Sequence, residues 1–559
     1  MTRSALPSAT ARGAAVTLRA LRRWALQRGI ARSTFAHAYD DAFLVAVSRL
    51  LEAVYREHGA RNSALRQERT GRWYFHVGPA LRAPVTGPLP FRRLDVTGFP
   101  LTNGHGYPRP VRTPRAFLAA LRRCVTTLRS RRRFTRLAAD FDNSFANLIL
   151  NRLLAQALDG RATAIEPAYE GHRSYPFPAL RIGPSITDIV ECSNLSRAAI
   201  HLPLAVVRSC HFTAVDFADV RECFRAWSGL ALPRGADLII PLHPWQVQLS
   251  PVVRELIARD WIAMLDERVD AIPLASQRTC RIMATGFDVK LPVAATLTSA
   301  DRLLYPLNRA NAPTVSCLAR IVREAEGDRS LDFQYDVASI AYAEPRIGSH
   351  LCAIVRAPVP QRPDDTVVPA LNLWSRRSGA HTLLNLRGPA QVYEFFRAYC
   401  RVLMRGPIEF YARWGMAFEP HLQNVHIALR GGEPSRIVLR DLDSTILDAA
   451  RVRPALRKHG LAVAAGTWRH MPSIETGGRR LTQAMLYGHL GPVMSYLVCR
   501  ARVDLAKLAG AVDDTWDELI ADASSPSVRR AMCELRATSN TVKAALHTRL
   551  ATSARFAFR

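Results

Sequence analysis

The sequence predicts an α+β protein built in three lobes. Three observations predict it. Helical periodicity dominates the first 160 residues or so and returns after residue 388. Between them lies a stretch of short apolar runs broken by Pro, Gly, Asp and Ser. A hairpin signature sits near residue 430. The expected lobes are 1–160, mostly helical; 161–385, mixed strand and helix; and 386–559, mostly helical around the hairpin. A length of 559 residues suits about three or four domain-sized units. Apolar residues at 48% and charged residues at 22% are ordinary globular usage, which excludes a disordered, collagen-like or low-complexity chain. No run approaches the ~18 apolar residues of a membrane span.

Taken in order, 42–58 reads as a helix with Phe43, Leu44, Val47, Leu50, Leu51, Val54 and Tyr55 on one face. Residues 143–158 repeat the pattern with Phe145, Leu148, Ile149, Leu153 and Leu154, and Gly160 stops the helix. The Pro- and Gly-rich stretch 83–115 reads as a long surface connection. Strands are expected at 236–241, 287–298 and 352–356, and a helix at 390–405. The hairpin pairs 424–429 with 436–441 across a turn at 430–435, and 480–559 is helical again. No internal repeat is present.

The formal charge is +29, from 76 basic and 47 acidic side chains. Only four cations are lysine, at 290, 458, 507 and 543. Such a skew is a chain-wide drift to arginine, not a designed nucleic-acid stripe. The densest cluster, Arg129, Arg131, Arg132, Arg133 and Arg136, has Phe134 as its single interleaved aromatic. It reads as a solvated or acid-facing surface, so no specific nucleic-acid partner is expected. A lysine that survives this drift marks a place where a compact ammonium matters. The ten cysteines are scattered singly, with no C-x-x-C, which points to reduced thiols and a cytoplasmic setting. Residues 1–39 contain no acid and imitate a transit peptide; in so Arg-rich a chain they read as a basic tail and a first helix.

The hairpin carries the chemistry. With its turn centred near Gly432–Glu433, Asn424 lies opposite Asp441. Glu419, His421, Gln423, Asn424, Asp441 and Asp443 then gather at one end of the sheet. Oxygen donors of this kind suit Mg²⁺, which takes one or two protein carboxylates and leaves the rest to phosphate and water. An Asn before a hairpin and an Asp after it also resemble the metal-holding pair of kinase-type phosphotransferases. Zn²⁺ on Glu419, His421 and Asp441 is the alternative, with a single nitrogen ligand.

Four further stretches stand out: 242–246 (LHPWQ), 276–279 (SQRT), Lys290 in an apolar run, and 298–302 (TSADR). Alone, each reads as packing or a solvated turn. Together, 171–183 (GHRSYPFPALRIG), 241–246 (PLHPWQ), 276–279, 290–302 (KLPVAATLTSADR), 419–424 (EPHLQN) and 440–441 (RD) resemble the ordered motifs of the NRPS-independent siderophore synthetases, the aerobactin-synthetase-like carboxylate–amine ligases. The resemblance spans roughly 165–445.

It implies a cupped hand of thumb, fingers and palm with a kinase-like palm hairpin, often dimeric. It implies ATP and Mg²⁺ as cofactors, and a polycarboxylate such as citrate activated as an acyl-adenylate. An amine or hydroxyl then attacks to form an amide or ester. Ser276, Arg278, Thr279 and Lys290 match phosphate-binding positions, and Gln423 and Asn424 match nucleotide contacts. Arg302, helped by Thr298 and Arg181, matches the carboxylate grip. His172 and His421 match histidines at the reacting groups, and Glu419 and Asp441 match the metal-side acids. Residues 243–246 read as packing that supports the site. The usual second histidine and a lysine of the first motif are replaced here, where Arg173, Tyr175 and Ala179 stand near Arg181. Two other readings remain: a kinase-like phosphotransferase, for which Gly104 and Gly106 make a poor phosphate loop, and a basic nucleic-acid-binding protein.

Overall fold

A computed structural model describes residues 16–58, 63–102, 107–156, 170–171, 175–195, 199–207, 210–214, 220–231, 238–298, 300–326, 330–374, 386, 388–458 and 474–538. His172 and Arg173 lie outside the described residues. The two expected N-terminal helices fall within Arg32–His58 and Arg131–Gln156. They pack through Tyr39, Phe43 and Phe145, with the Phe43 and Phe145 rings edge-to-face at 5.9 Å.

Between these helices the structure departs from the helical expectation. A five-stranded antiparallel sheet runs in chain order through Ser63–Gln67, Trp73–Val77, Leu81–Val85, Leu101–Thr102 and Arg109–Pro110. Three of its strands lie in or run into 83–115, the stretch read as a surface connection. These strands are two to five residues long, too short for periodicity to register. The segment is also anchored inward. The Leu94 N–H donates to Glu52 Oε2 (3.3 Å) and the Val96 N–H to Ser48 Oγ (2.9 Å), so a helix supplies the acceptors its backbone needs. Glu52 is fully buried and is held ionised by Arg93, Arg56 and Arg49 against the cost of its burial.

The middle of the chain forms an eight-stranded antiparallel sheet. In spatial order its strands are Cys210–Ala214, Asp336–Tyr342, Cys352–Arg356, Asp288–Lys290, Thr279–Ile282, Ile262–Pro273, Ile200–Val207 and Leu238–Pro241. The run 287–298, expected as one strand, breaks at Leu291-Pro292. Pro lacks the N–H a ladder needs, and Val293–Leu297 continues in a separate three-stranded sheet with Ala300–Arg302 and Arg181–Ile182.

The hairpin is Val425–Arg430 and Glu433–Leu439. Its turn centre is Gly431–Gly432, both at positive φ (59° and 87°), one residue earlier than expected. Val425 pairs with Leu439, so the residue beyond Asn424 is Arg440, whose N–H donates to the Asn424 carbonyl (3.0 Å). Leu331–Phe333 and Asp365–Pro369 complete this four-stranded sheet. Both come from the stretch assigned to the middle lobe. Buried Arg436 ties them on, donating to Asp365 (3.0 Å) and Asp332 (3.4 Å). Among the described residues the apolar interior is two large cores and a small cluster of Leu304, Ala312, Ala341, Cys352 and Ile354. One large core runs from Val16 to Val355 and the other from Val315 to Leu535, so the first two expected lobes share a core.

Candidate active site

Three sheets present their ends to one cleft of about 430 Å³. The eight-stranded sheet contributes Thr279, Lys290 and Arg356 from adjacent strands, with Ser276 and Arg278 just before the first of them. The three-stranded sheet contributes Arg181, Thr298 and Arg302, because Leu297 pairs with both Arg181 and Ala300. The hairpin's open end contributes Glu419, His421, Gln423, Asn424 and Asp441. Every candidate residue within the described chain therefore lines the same cleft. His172 lies outside the described residues, and Gly171 is on the wall.

The floor is an ion network. Lys290 is 3% exposed, and its Nζ donates to Asp441 Oδ1 (2.8 Å) and Asp443 Oδ1 (2.7 Å). Arg356, also buried, donates from Nη2 to Asp441 Oδ1 (2.8 Å) and from Nε to Asp336 Oδ1 (2.7 Å). Asn308 donates to Asp443 Oδ2 (3.1 Å). Burial opposes the Asp441 charge, yet Lys290 and Arg356 outweigh it and hold the carboxyl well below the usual range. Burial pushes the Asp336 carboxyl up to about 6 against the pull of Arg356. Both cations reach Asp441 through Oδ1, and Oδ2 has no hydrogen bond among the described residues. Glu419 pairs instead with Arg480. The two acids expected to face a metal thus each face a cation, and no cluster of three or more acid, His or Cys ligands exists among the described residues.

Three further cations line the cleft without a direct ion pair among the described residues. Arg181 is buried and, among the described residues, donates to neutral oxygens: Gln277 Oε1 (3.1 Å), Asn151 Oδ1 (3.0 Å) and Asn147 Oδ1 (3.4 Å). Arg278 Nη1 donates to the Arg302 and Leu303 carbonyls (3.1 and 3.4 Å). Arg302 Nη2 donates to Thr298 Oγ1 (2.6 Å). Burial lowers the pKa of all three; Arg181 comes down to about 10, and Arg302, with repulsion from Arg278 added, also to about 10. Gln277, Thr298 and Asp441 have positive φ (64°, 57° and 68°). For a β-branched threonine this is a real departure, and the surrounding bonds must hold it.

Support comes from 243–246. His243 Nδ1 accepts from the Trp245 N–H (3.1 Å), and Gln246 bridges the Ala294 N–H (2.7 Å) and the His350 carbonyl (2.8 Å). Burial depresses His243 to about 4, and it depresses His489, behind the His421 loop, to about 3. Both are neutral when folded, while an exposed imidazole titrates near 6.5. The unfolded chain therefore binds more protons as pH falls through 6.5 toward 4, and stability falls with it. Melting temperatures measured from pH 7.5 to 4.5 should drop steadily, and replacing both histidines by Asn should flatten the slope.

Asp443 was grouped with the hairpin's polar end from the sequence, while Arg356, Asn308 and Arg480 were not anticipated. Arg356 closes an otherwise apolar strand, and a cation there signals a buried counter-ion. Asp443 follows the flagged Asp441 by two residues. Asn308 and Arg480 carry no local signal.

Residues 161–374 match the IucA / IucC family. The match falls in the middle of the chain and agrees with the resemblance of its motifs to the NRPS-independent siderophore synthetases. Residues 393–555 match a second family, described as a ferric iron reductase FhuF-like transporter. No helix among the described residues is long and apolar enough to cross a membrane. The chain is similar to the petrobactin biosynthesis protein AsbB of Bacillus anthracis str. Sterne, at 16% identity and TM-score 0.73, over 95% of this chain and 96% of that one. It is also similar to ATP-bound aerobactin synthetase IucA from a hypervirulent pathotype of Klebsiella pneumoniae, at 15% identity and TM-score 0.74, over 92% and 98%. These likenesses establish a shared mixed helix-and-sheet fold. Uncharacterized protein y4xN of Sinorhizobium fredii is 24% identical over 315 residues, 49% of this chain and 50% of that protein, so the match spans about half of its length.

Proposed function

We propose that the chain is an ATP-dependent ligase that adenylates a carboxylate, of citrate or a citryl-like polyacid, and passes the acyl group to an amine or hydroxyl. One observation carries this reading. Arg181, Arg278 and Arg302 face the cleft, and none makes an ion pair among the described residues. Buried and half-buried guanidinium groups with no direct ion pair leave a positive field, which a polyanionic ligand would neutralise. Seven cations and three carboxylates line the cleft, a surplus that suits a triphosphate beside a polyacid.

In this reading Ser276, Arg278 and Thr279 take the phosphates. Lys290 spends two of its three N–H donors on Asp441 and Asp443 and has a third for a phosphate oxygen. Thr298, Arg302 and Arg181 hold the substrate carboxylates, Gln423 and Asn424 hold the nucleotide, and His421 with His172 flanks the reacting groups. Attack of a carboxylate on the α-phosphorus brings two anions together, and fixed guanidinium groups lower that barrier without reorganising. The all-oxygen donors at Asp441, with Oδ2 open, fit Mg²⁺, with Glu419 as the second acid; bound there, the ion would offset phosphate charge. Cytoplasmic action as a homodimer belongs to the same proposal.

With Mg-ATP, citrate and a panel of diamines and amino alcohols, the purified chain should release pyrophosphate and AMP. ADP as the product would point to the phosphotransferase reading instead.

A further inference from the structure

Residues Gln483–Leu490 form a π-helical stretch, a rare geometry that concentrates at functional sites. This one lies against the loop that carries His421. His489 is fully buried, with Nδ1 2.9 Å from the Pro420 carbonyl and Nε2 bonded to the Tyr399 hydroxyl. A carbonyl can only accept, so Nδ1 carries the proton and Nε2 accepts from the tyrosine. The Tyr399 ring is fixed in turn by Trp374 and Phe395, at centroid distances of 5.4 and 6.2 Å. One residue earlier, the Gly488 carbonyl accepts the Leu422 N–H (3.3 Å). Residues 488 and 489 therefore clasp the two immediate neighbours of His421. Gly488 also permits the approach, since a Cβ there would lie 2.9 Å from His421 Cβ.

We propose that this π-helical stretch is the platform that sets the position of His421, with His489 as the positioning residue and Gly488 as the spacer. The proposal rests on the role given to His421 in the ligase reading. His489 does not line the cleft. It acts by fixing the Pro420 carbonyl, and through it the turn in which the His421 N–H meets the Glu419 carbonyl (2.8 Å) and the Asn424 N–H meets the His421 carbonyl (2.9 Å). The phosphate-side cations stand on another sheet, while Gln423 and Asn424 follow His421 in the same loop, so a shifted loop should lower turnover and weaken the nucleotide contacts of that loop together.

Gly488→Ala separates positioning from stability. Alanine favours a helix over glycine, so the variant should melt no lower than wild type unless the clash is relieved by unfolding the turn. A displacement of about 1 Å at a reacting group can cost on the order of 100-fold. Expected for Gly488→Ala is a kcat for pyrophosphate release about 10- to 100-fold lower. His489→Leu should lose kcat similarly, and His489→Asn, whose amide can still donate to Pro420, should recover most of it. Unchanged kcat in both Gly488→Ala and His489→Leu, or equal loss in His489→Leu and His489→Asn, would overturn the proposal. If wild type itself releases no pyrophosphate, the ligase reading fails. The positioning is then read from crystal structures of wild type and Gly488→Ala: a moved His421 supports it and an unmoved one refutes it.

Discussion

Arg302→Ala is expected to abolish turnover and to do so mainly through the carboxylate substrate, with KM for that acid rising far more than KM for ATP. Truncating one member of a buried charged pair typically costs about 2–5 kcal/mol, which is roughly 30- to 4,000-fold. Arg302 is poised for such a pair, because among the described residues its Nη2 meets the Thr298 hydroxyl and none of its donors meets a carboxylate. Arg278→Ala should be equally inactive but should raise KM for ATP first. The two are not independent. Arg278 holds the Arg302 and Leu303 carbonyls, so its loss also loosens the strand that carries Arg302. Steady-state kinetics of both single variants and the double variant should therefore show clear non-additivity. The reverse assignment, with Arg302→Ala affecting ATP alone, would overturn these roles.

Asp441→Asn is expected to lose both activity and stability. It strands Lys290 and Arg356, which are buried and share Asp441 Oδ1 at 2.8 Å each. Breaking a buried pair by removing one partner costs about 3–5 kcal/mol. The loss should be partial, since Asp443 still holds Lys290 and Asp336 still holds Arg356. The pH dependence has a definite sign. A carboxylate with a depressed pKa stabilises the fold above its unfolded value and loses that contribution only as pH falls through its folded value. Asp441 lies well below the ordinary carboxylate range, so the gap in melting temperature between wild type and Asp441→Asn should stay constant from pH 5 to 8. A gap that closes within that window would show that Asp441 is not held by these cations.

Much of the cleft was legible because its residues sit at strand ends and turns, where polar side chains break an apolar pattern. Lys290, SQRT at 276–279 and EPHLQN at 419–424 are such breaks. Partners supplied by distant segments were not legible. Arg480 reaches Glu419 from 61 residues away, and His489 reaches Pro420 from 69. The N-terminal sheet was missed because its strands are short and are held by Ser48 and Glu52 on a helix. The hairpin was found but displaced by one residue, since the pair Gly431–Gly432, not Gly432–Glu433, has the positive φ values that a tight turn requires. The run at 287–298 was read as one strand because its apolar residues continue through Pro292, while the ladder cannot.

The most direct test of acid and nucleotide meeting in this cleft is the fate of carboxylate oxygen. Citrate labelled with ¹⁸O in its carboxyl groups is turned over with Mg-ATP and an accepted amine, and the products are weighed by mass spectrometry. Attack on the α-phosphorus should deliver one ¹⁸O atom to AMP for each amide formed, and none to pyrophosphate. Label appearing in inorganic phosphate alongside ADP would contradict it.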